Sequence, residues 1–355
     1  MSTRARNAVL FLALGAALIA AFVLSSRFRD APASQQDVVD AVPSDAQVLV
    51  LAKLSTIRSS PYKSFFAVGA VPSMVPGAET GCGRNLTNRI DTLALWAPAE
   101  PGASFGIAAQ APVSVDSVWT CAQSTIAERN GKPSFTDVEG FRIIVDENLG
   151  PGSAQIAVRE TGLLLLARPT TRSRMMDALA ARTPSAANGG DHAKMRKELG
   201  QDGDLTVTVI VSKPLRDRFA GWIGEPTPLL DEVDVLGATA LLQPETILRA
   251  TVWCRSEQAC TILEKRLNAK RQRVLGSTAM RAIGVAALLE NAEISQHGPR
   301  LQVNAKARAE QVLGVIERLK GLEEFLEPAP APAPAVPRGV HSEPDEILRP
   351  AASTK

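Results

Sequence analysis

The residues of this chain best able to do chemistry are four cysteines, three histidines and a few charged clusters. Cys82, Cys121, Cys254 and Cys260 are even in number, contain no C-x-x-C pair and do not match zinc-ligand spacing. That pattern favours two structural disulfides over redox or metal chemistry. Cys254 ends an expected strand and Cys260 falls in the first turn of the helix after it, so a short closure joins them. Cys82 lies in a Gly/Pro-rich loop and could meet Cys121 on an expected helix. Chain-entropy arithmetic assigns about 2.4 kcal/mol to the short loop and about 4 kcal/mol to the long one. The echo between "SVWTCAQ" and "TVWCRSEQAC" is a coincidence of letters: the first has helical spacing, the second the alternation of a strand.

The other reactive types are scattered. His192, His297 and His341 share no segment and no metal-ligand spacing, and each is expected to be exposed. "SPYK" at Ser60 to Lys63 matches the Ser-x-x-Lys pattern in which lysine activates serine, but Ser-Asp-Asn and Lys-Thr-Gly are absent, and one match is the chance level. "GAETGCGRN" lacks the Gly-Lys-Ser/Thr of a phosphate loop. Asp231, Glu232 and Asp234 could chelate a hard cation, although three acids at a turn are usually a solvated face. No catalytic, cofactor-binding or metal-ligating residue is therefore assigned, and no cofactor. The helix "EQACTILEKRLNAKRQRV" carries Lys265, Arg266, Lys270, Arg271 and Arg273 toward its end. Cations there complement the helix dipole, and they also suit an anionic partner, a lipid headgroup or an acidic protein surface.

The elements that position these residues are legible in outline. With 45% hydrophobic and 21% charged residues among 355, the chain is globular and long enough for two domains. A net charge of +2 and 4% aromatics exclude a general pull toward nucleic acid. The uninterrupted apolar run Ala8 to Leu24 covers about 25 Å as a helix, near the short end of a membrane span and longer than a usual signal-peptide core. Arg27 and Arg29 stand where a cleavable signal would carry small residues, so a retained transmembrane anchor is favoured over a signal. The even cysteine count puts the body outside the cytoplasm, in a bacterial periplasm.

Residues 1–29 thus read as anchor or signal and 30–44 as linker. A first α+β repeat is expected over 45–183, a linker with a short helix over 184–202, and a second repeat over 203–322. A disordered Pro/Ala-rich tail follows over 323–355. The two repeats are tandem and possibly duplicated. "AQVLVLAKL" corresponds to "LTVTVIVSKP", "IDTLALWAP" to "VDVLGATALLQP", and the Ser114 helix cap to the Ser256 cap. Each reads as an antiparallel sheet with helices packed on one face.

The phrase "VVDAVPSDAQVLVLAKLSTIRSSP" resembles the opening of large exported bacterial proteins of unknown function, which begin with a Val-Pro-small-Asp-Ala phrase, a strand and a helix. The resemblance covers Val38 to Pro61 and implies architecture without activity. The function these readings favour is a membrane-anchored, non-catalytic binding or scaffolding protein with an envelope protein as partner. An exported hydrolase with a scattered site and a periplasmic small-ligand binder are the alternatives.

Overall fold

The computed structural model describes residues 35–63, 81–99, 104–200, 203–216 and 230–326. The apolar run Ala8 to Leu24 and the Pro/Ala-rich segment from 327 onward lie outside these residues. None of the described helices is long and apolar enough to cross a membrane.

The first half opens with α1 (Gln35–Asp40), β1 (Ala46–Lys53) and α2 (Leu54–Ser59), then α3 (Gly81–Thr87), β2 (Thr92–Pro98) and β3 (Gly106–Gln110). Next comes α4 (Val115–Glu128). Its first turn is capped by Ser114, whose hydroxyl accepts from the Ser117 amide at 3.2 Å, and its end is marked by Asn130 in the left-handed region at φ 59°. Two hairpins follow, β4 (Pro133–Val138) with β5 (Phe141–Asp146) and β6 (Gln155–Arg159) with β7 (Leu163–Ala167), and then α5 (Pro169–Leu179), which starts on a proline.

The second half contains α6 (Gly190–Leu199), β8 (Leu205–Ile210), β9 (Val233–Leu241) and β10 (Glu245–Cys254). After these come α7 (Glu257–Gly276), α8 (Thr278–Ile283), α9 (Val285–Glu290), β11 (Glu293–His297), β12 (Arg300–Arg308) and α10 (Ala309–Leu326). Ser256 caps α7 as Ser114 caps α4, accepting from the Ala259 amide at 3.1 Å.

All twelve strands form one antiparallel sheet in the order β11-β12-β10-β9-β8-β1-β2-β3-β7-β6-β5-β4. The two expected repeats are therefore halves of a single sheet, joined where β1 pairs with β8. Outward from that seam the orders agree: β1-β2-β3-β7-β6 on one side and β8-β9-β10-β12-β11 on the other. Aligning Asp45 with Asp204 sets Leu49 on Thr208, and these two residues are partners across the seam.

Helices cover both faces, not one. Leu49 and Leu51 point to a first face, with Ala94, Trp96, Ala108, Leu163, Leu165, Phe141 and Ile143, under Val38 and Val39 of α1 and Met175 and Met176 of α5. On the same face of the second half, Met195 and Leu199 of α6 pack on Val235. Ala52, Leu205 and Ala240 point to the second face, under Leu54 and Ile57 of α2 and Ala309 and Ile316 of α10. There, Val118 and Ala122 of α4 pack on Ile144 and Val158, and Ala259 and Leu263 of α7 pack on Val252 and Leu301. Strands buried on both faces read as continuous apolar runs such as "VLVLA" and "LLLLA", so periodicity alone could not count the covered faces.

Five further elements differ from expectation. Cys82 lies on α3 and not in a loop: α3 is glycine-rich and buries none of its residues fully, so its crosslink to α4 and the packing of Leu86 support it in place of propensity. The edge strand β4 is mostly exposed and lacks apolar alternation, which hid it. Helices α8 and α9 fill a stretch with no assigned element, and α10 runs to Leu326, past the expected repeat boundary at 322.

Candidate functional site

The cysteines are structural. Cys82 is bonded to Cys121 and Cys254 to Cys260, with Cα separations of 5.6 and 5.4 Å, and no thiol is free. One crosslink ties α3 to α4, and the other ties the end of β10 to the first turn of α7. Both lie on the second-face side of the sheet.

His192 overturns its expected exposure. It is fully buried on α6, directly over the seam. Its Nε2 lies 2.6 Å from the Ala46 carbonyl and its Nδ1 2.5 Å from the Thr208 hydroxyl. A carbonyl only accepts, so Nε2 carries the proton and Nδ1 accepts from Thr208. The ring thus clamps β1 to β8 across their seam as a neutral imidazole. Burial holds its pKa below the ordinary histidine value, and Arg196 acts in the same sense against the opposing pull of the Ala46 hydrogen bond and Asp191. His297 is exposed on β11, and His341 lies outside the described residues.

The other chemical candidates are occupied locally. Ser60 donates its hydroxyl to the Ile57 carbonyl at 2.6 Å and accepts from the Tyr62 amide at 3.2 Å, which makes it a turn former beside an exposed Lys63. Tyr62 itself shares a hydrogen bond with Thr246 across the second face. Asp231 pairs with Arg216 at 3.5 Å and Asp234 with Arg255 at 3.3 Å, so these acids diverge toward separate cations. Among the described residues no three His, Cys, Asp or Glu side chains converge on a metal position. Three aspartates are buried among the described residues, Asp91, Asp146 and Asp204; Asp204, at the other end of the seam, accepts from the Leu242 amide at 2.7 Å. Its pKa is pushed up by burial, against the pull of that hydrogen bond and of Lys53.

The basic run divides once its helix is folded. Arg271 turns inward and donates to the Leu289 and Glu290 carbonyls, each at 2.9 Å, capping the end of α9. Lys270 is half-buried, and its pKa is lowered first by burial and then by Arg273 and Arg266. Lys265, Arg266 and Arg273 are exposed.

A surface that sequence reasoning did not single out appears where the two halves differ. After β7 the chain turns α5 onto the first face, but after β12 it turns α10 onto the second. Beyond Trp253, where α6 packs, the first face of β10, β12 and β11 is left without a described helix. In the first half the corresponding positions are Leu163, Leu165 and Ala157, all buried. In the second half this face carries Arg249, Gln302, Asn304, Lys306, Ser295 and His297, set in register across the strands. Among the described residues, Gln302 and Asn304 make no side-chain hydrogen bond, and Arg249 and Lys306 make no ion pair. At its border with α6, Trp253 donates to Glu198 at 3.0 Å, and Arg300 pairs with the same carboxylate at 3.3 Å. The signal was present in "RLQVNAKAR", which alternates polar and apolar as a strand with one wet face does.

No family model, curated protein or solved structure matches this chain.

Proposed function

We propose that this chain is a membrane-anchored, exported envelope protein that binds a protein partner and does not transform a substrate. The observation that carries the reading is the open polar face of β10, β12 and β11. The same surface is apolar core in the other half, so the difference is a property of these side chains and of where α10 goes. Arg, Lys, Asn and Gln side chains that have no partner among the described residues, held at fixed spacing on a rigid sheet, suit recognition, and the neighbouring edge strand β11 offers backbone groups as well. Two crosslinks support an oxidising compartment, and the apolar run Ala8 to Leu24 supports retention at a membrane. The residue types that catalysis would recruit, His192 and Ser60 among them, are engaged in holding the fold.

Crosslinking and affinity capture of the tagged full chain from native membranes tests this, run beside the variant R249E/N304D/K306E. A stoichiometric envelope protein recovered with the wild type and lost with the variant supports the reading, provided thermal unfolding of the two coincides. Equal recovery with both moves the interface off this face. Recovery of the chain alone, with a working crosslinker, removes the scaffold role.

A further inference from the structure

We infer that the exposed C-terminal half of α7 rests on an anionic phospholipid surface, an inference that builds on the anchored reading above. From Lys265 to Gly276 the helix holds five cations and no acid. Its buried side is Ala259, Cys260 and Leu263, and its outward side presents Ile262, Lys265, Arg266, Ala269 and Arg273. The helix dipole does not account for this arrangement. Its influence fades beyond the final turn, and of these cations only Arg273 stands there. Arg266, Lys270 and Arg273 follow one another at i+4 and i+3, so like charges line one face, an arrangement that costs helix stability. Lys265, Arg266 and Arg273 have no acidic partner among the described residues, and Arg281 on α8 extends the exposed positive surface.

The form of the patch selects the occupant. It is a convex helix side with cations, a small residue and one half-exposed isoleucine, and among the described residues it lacks the aromatic anchors of a protein hot spot. A plane of phosphodiester headgroups needs none. Distance favours the same occupant. Only residues 25–34 separate the apolar run from α1, and they reach at most about 36 Å. A body of this size has a radius of gyration of about 19 Å, so it cannot move a full body-width from the bilayer. The tether also suffices to pass the helix–sheet–helix layers, spaced about 10 Å apart, and so lets the second face lie down. In that pose the open polar face of β10, β12 and β11 points away from the lipid, toward a partner.

The test uses the full chain reconstituted into vesicles of phosphatidylcholine alone or mixed with phosphatidylglycerol, with a photo-crosslinking amino acid at Ala269. Salt-resistant flotation with both compositions reads the anchor, and labelling of lipid from position 269 reads the docking. Expected is flotation with both, lipid labelling on the anionic vesicles only, and its loss at high salt. K265Q/R266Q/R273Q should cut the labelling at least fivefold, since one cation near an anionic surface is worth about that factor. Flotation with no lipid labelling on either composition overturns the docking and leaves the anchor standing. Lipid labelling without salt-resistant flotation upholds the docking and removes the anchor. Labelling of a second copy of the chain in place of lipid overturns the inference in favour of self-association.

Discussion

Replacing His192 with glutamine separates the charge of the seam clamp from its hydrogen bonds. The neutral ring is held between the Ala46 carbonyl and the Thr208 hydroxyl, fully buried. Its folded pKa lies below the unfolded value of about 6.5, so between those two values the unfolded chain binds more protons than the folded one. The stabilisation is then complete above about pH 6.5 and declines as pH falls toward the folded pKa, by at most about 1.4 kcal/mol per pH unit. Glutamine carries an N–H donor for Ala46 and does not titrate. His192→Gln should cost about 1 kcal/mol at pH 8, for one imperfectly replaced hydrogen bond. The difference between wild type and variant should then shrink as pH falls from 6.5 to 5. His192→Ala should cost about 3–5 kcal/mol at pH 8, because it leaves a cavity and two unsatisfied groups at the seam. The assay is urea unfolding of the full chain in detergent, followed by tryptophan fluorescence at several pH values. Using the difference between the two proteins removes every other titrating group. A constant difference from pH 8 to pH 5 would refute the buried neutral clamp.

Three further outcomes are expected. Asp204, whose pKa is raised by burial, works in the opposite sense: its contribution is largest below about pH 3.9 and is lost as pH rises through its folded pKa. Asp204→Asn, which can still accept from Leu242, should therefore leave stability at pH 7 unchanged or higher in the same urea assay. Removing the two crosslinks separately should cost about 2.4 kcal/mol for C254A/C260A and about 4 kcal/mol for C82A/C121A, with the larger loss in the second, read from denaturation midpoints. Gly237→Ala should destabilise by about 1–3 kcal/mol, because a Cβ there would stand 2.4 Å from Met195 and 2.9 Å from Leu199, the residues that seat α6. Calorimetry of the variant measures that loss.

What the sequence determined by itself is local. Serines at 114 and 256 cap helices because their hydroxyls meet amides three residues on, a relation contained in the sequence spacing. Both cysteine pairs could be anticipated from strand and helix positions, and the α+β class from the mixture of periods. What only the tertiary structure decided depends on partners distant in the chain. Whether two repeats stand apart or share a sheet is settled by β1 meeting β8, and a strand edge carries no mark of its eventual neighbour. His192 read as a linker residue because neither Ala46 nor Thr208 is near it in the chain. Arg271 belonged with its basic neighbours until α9 brought two carbonyls to it. The open face exists because α10 crosses to the side opposite α5, a choice made by Leu54, Ile57 and Tyr62 waiting on the second face. Hydrophobic burial is non-directional, so the pattern says that a helix will be covered but not by what.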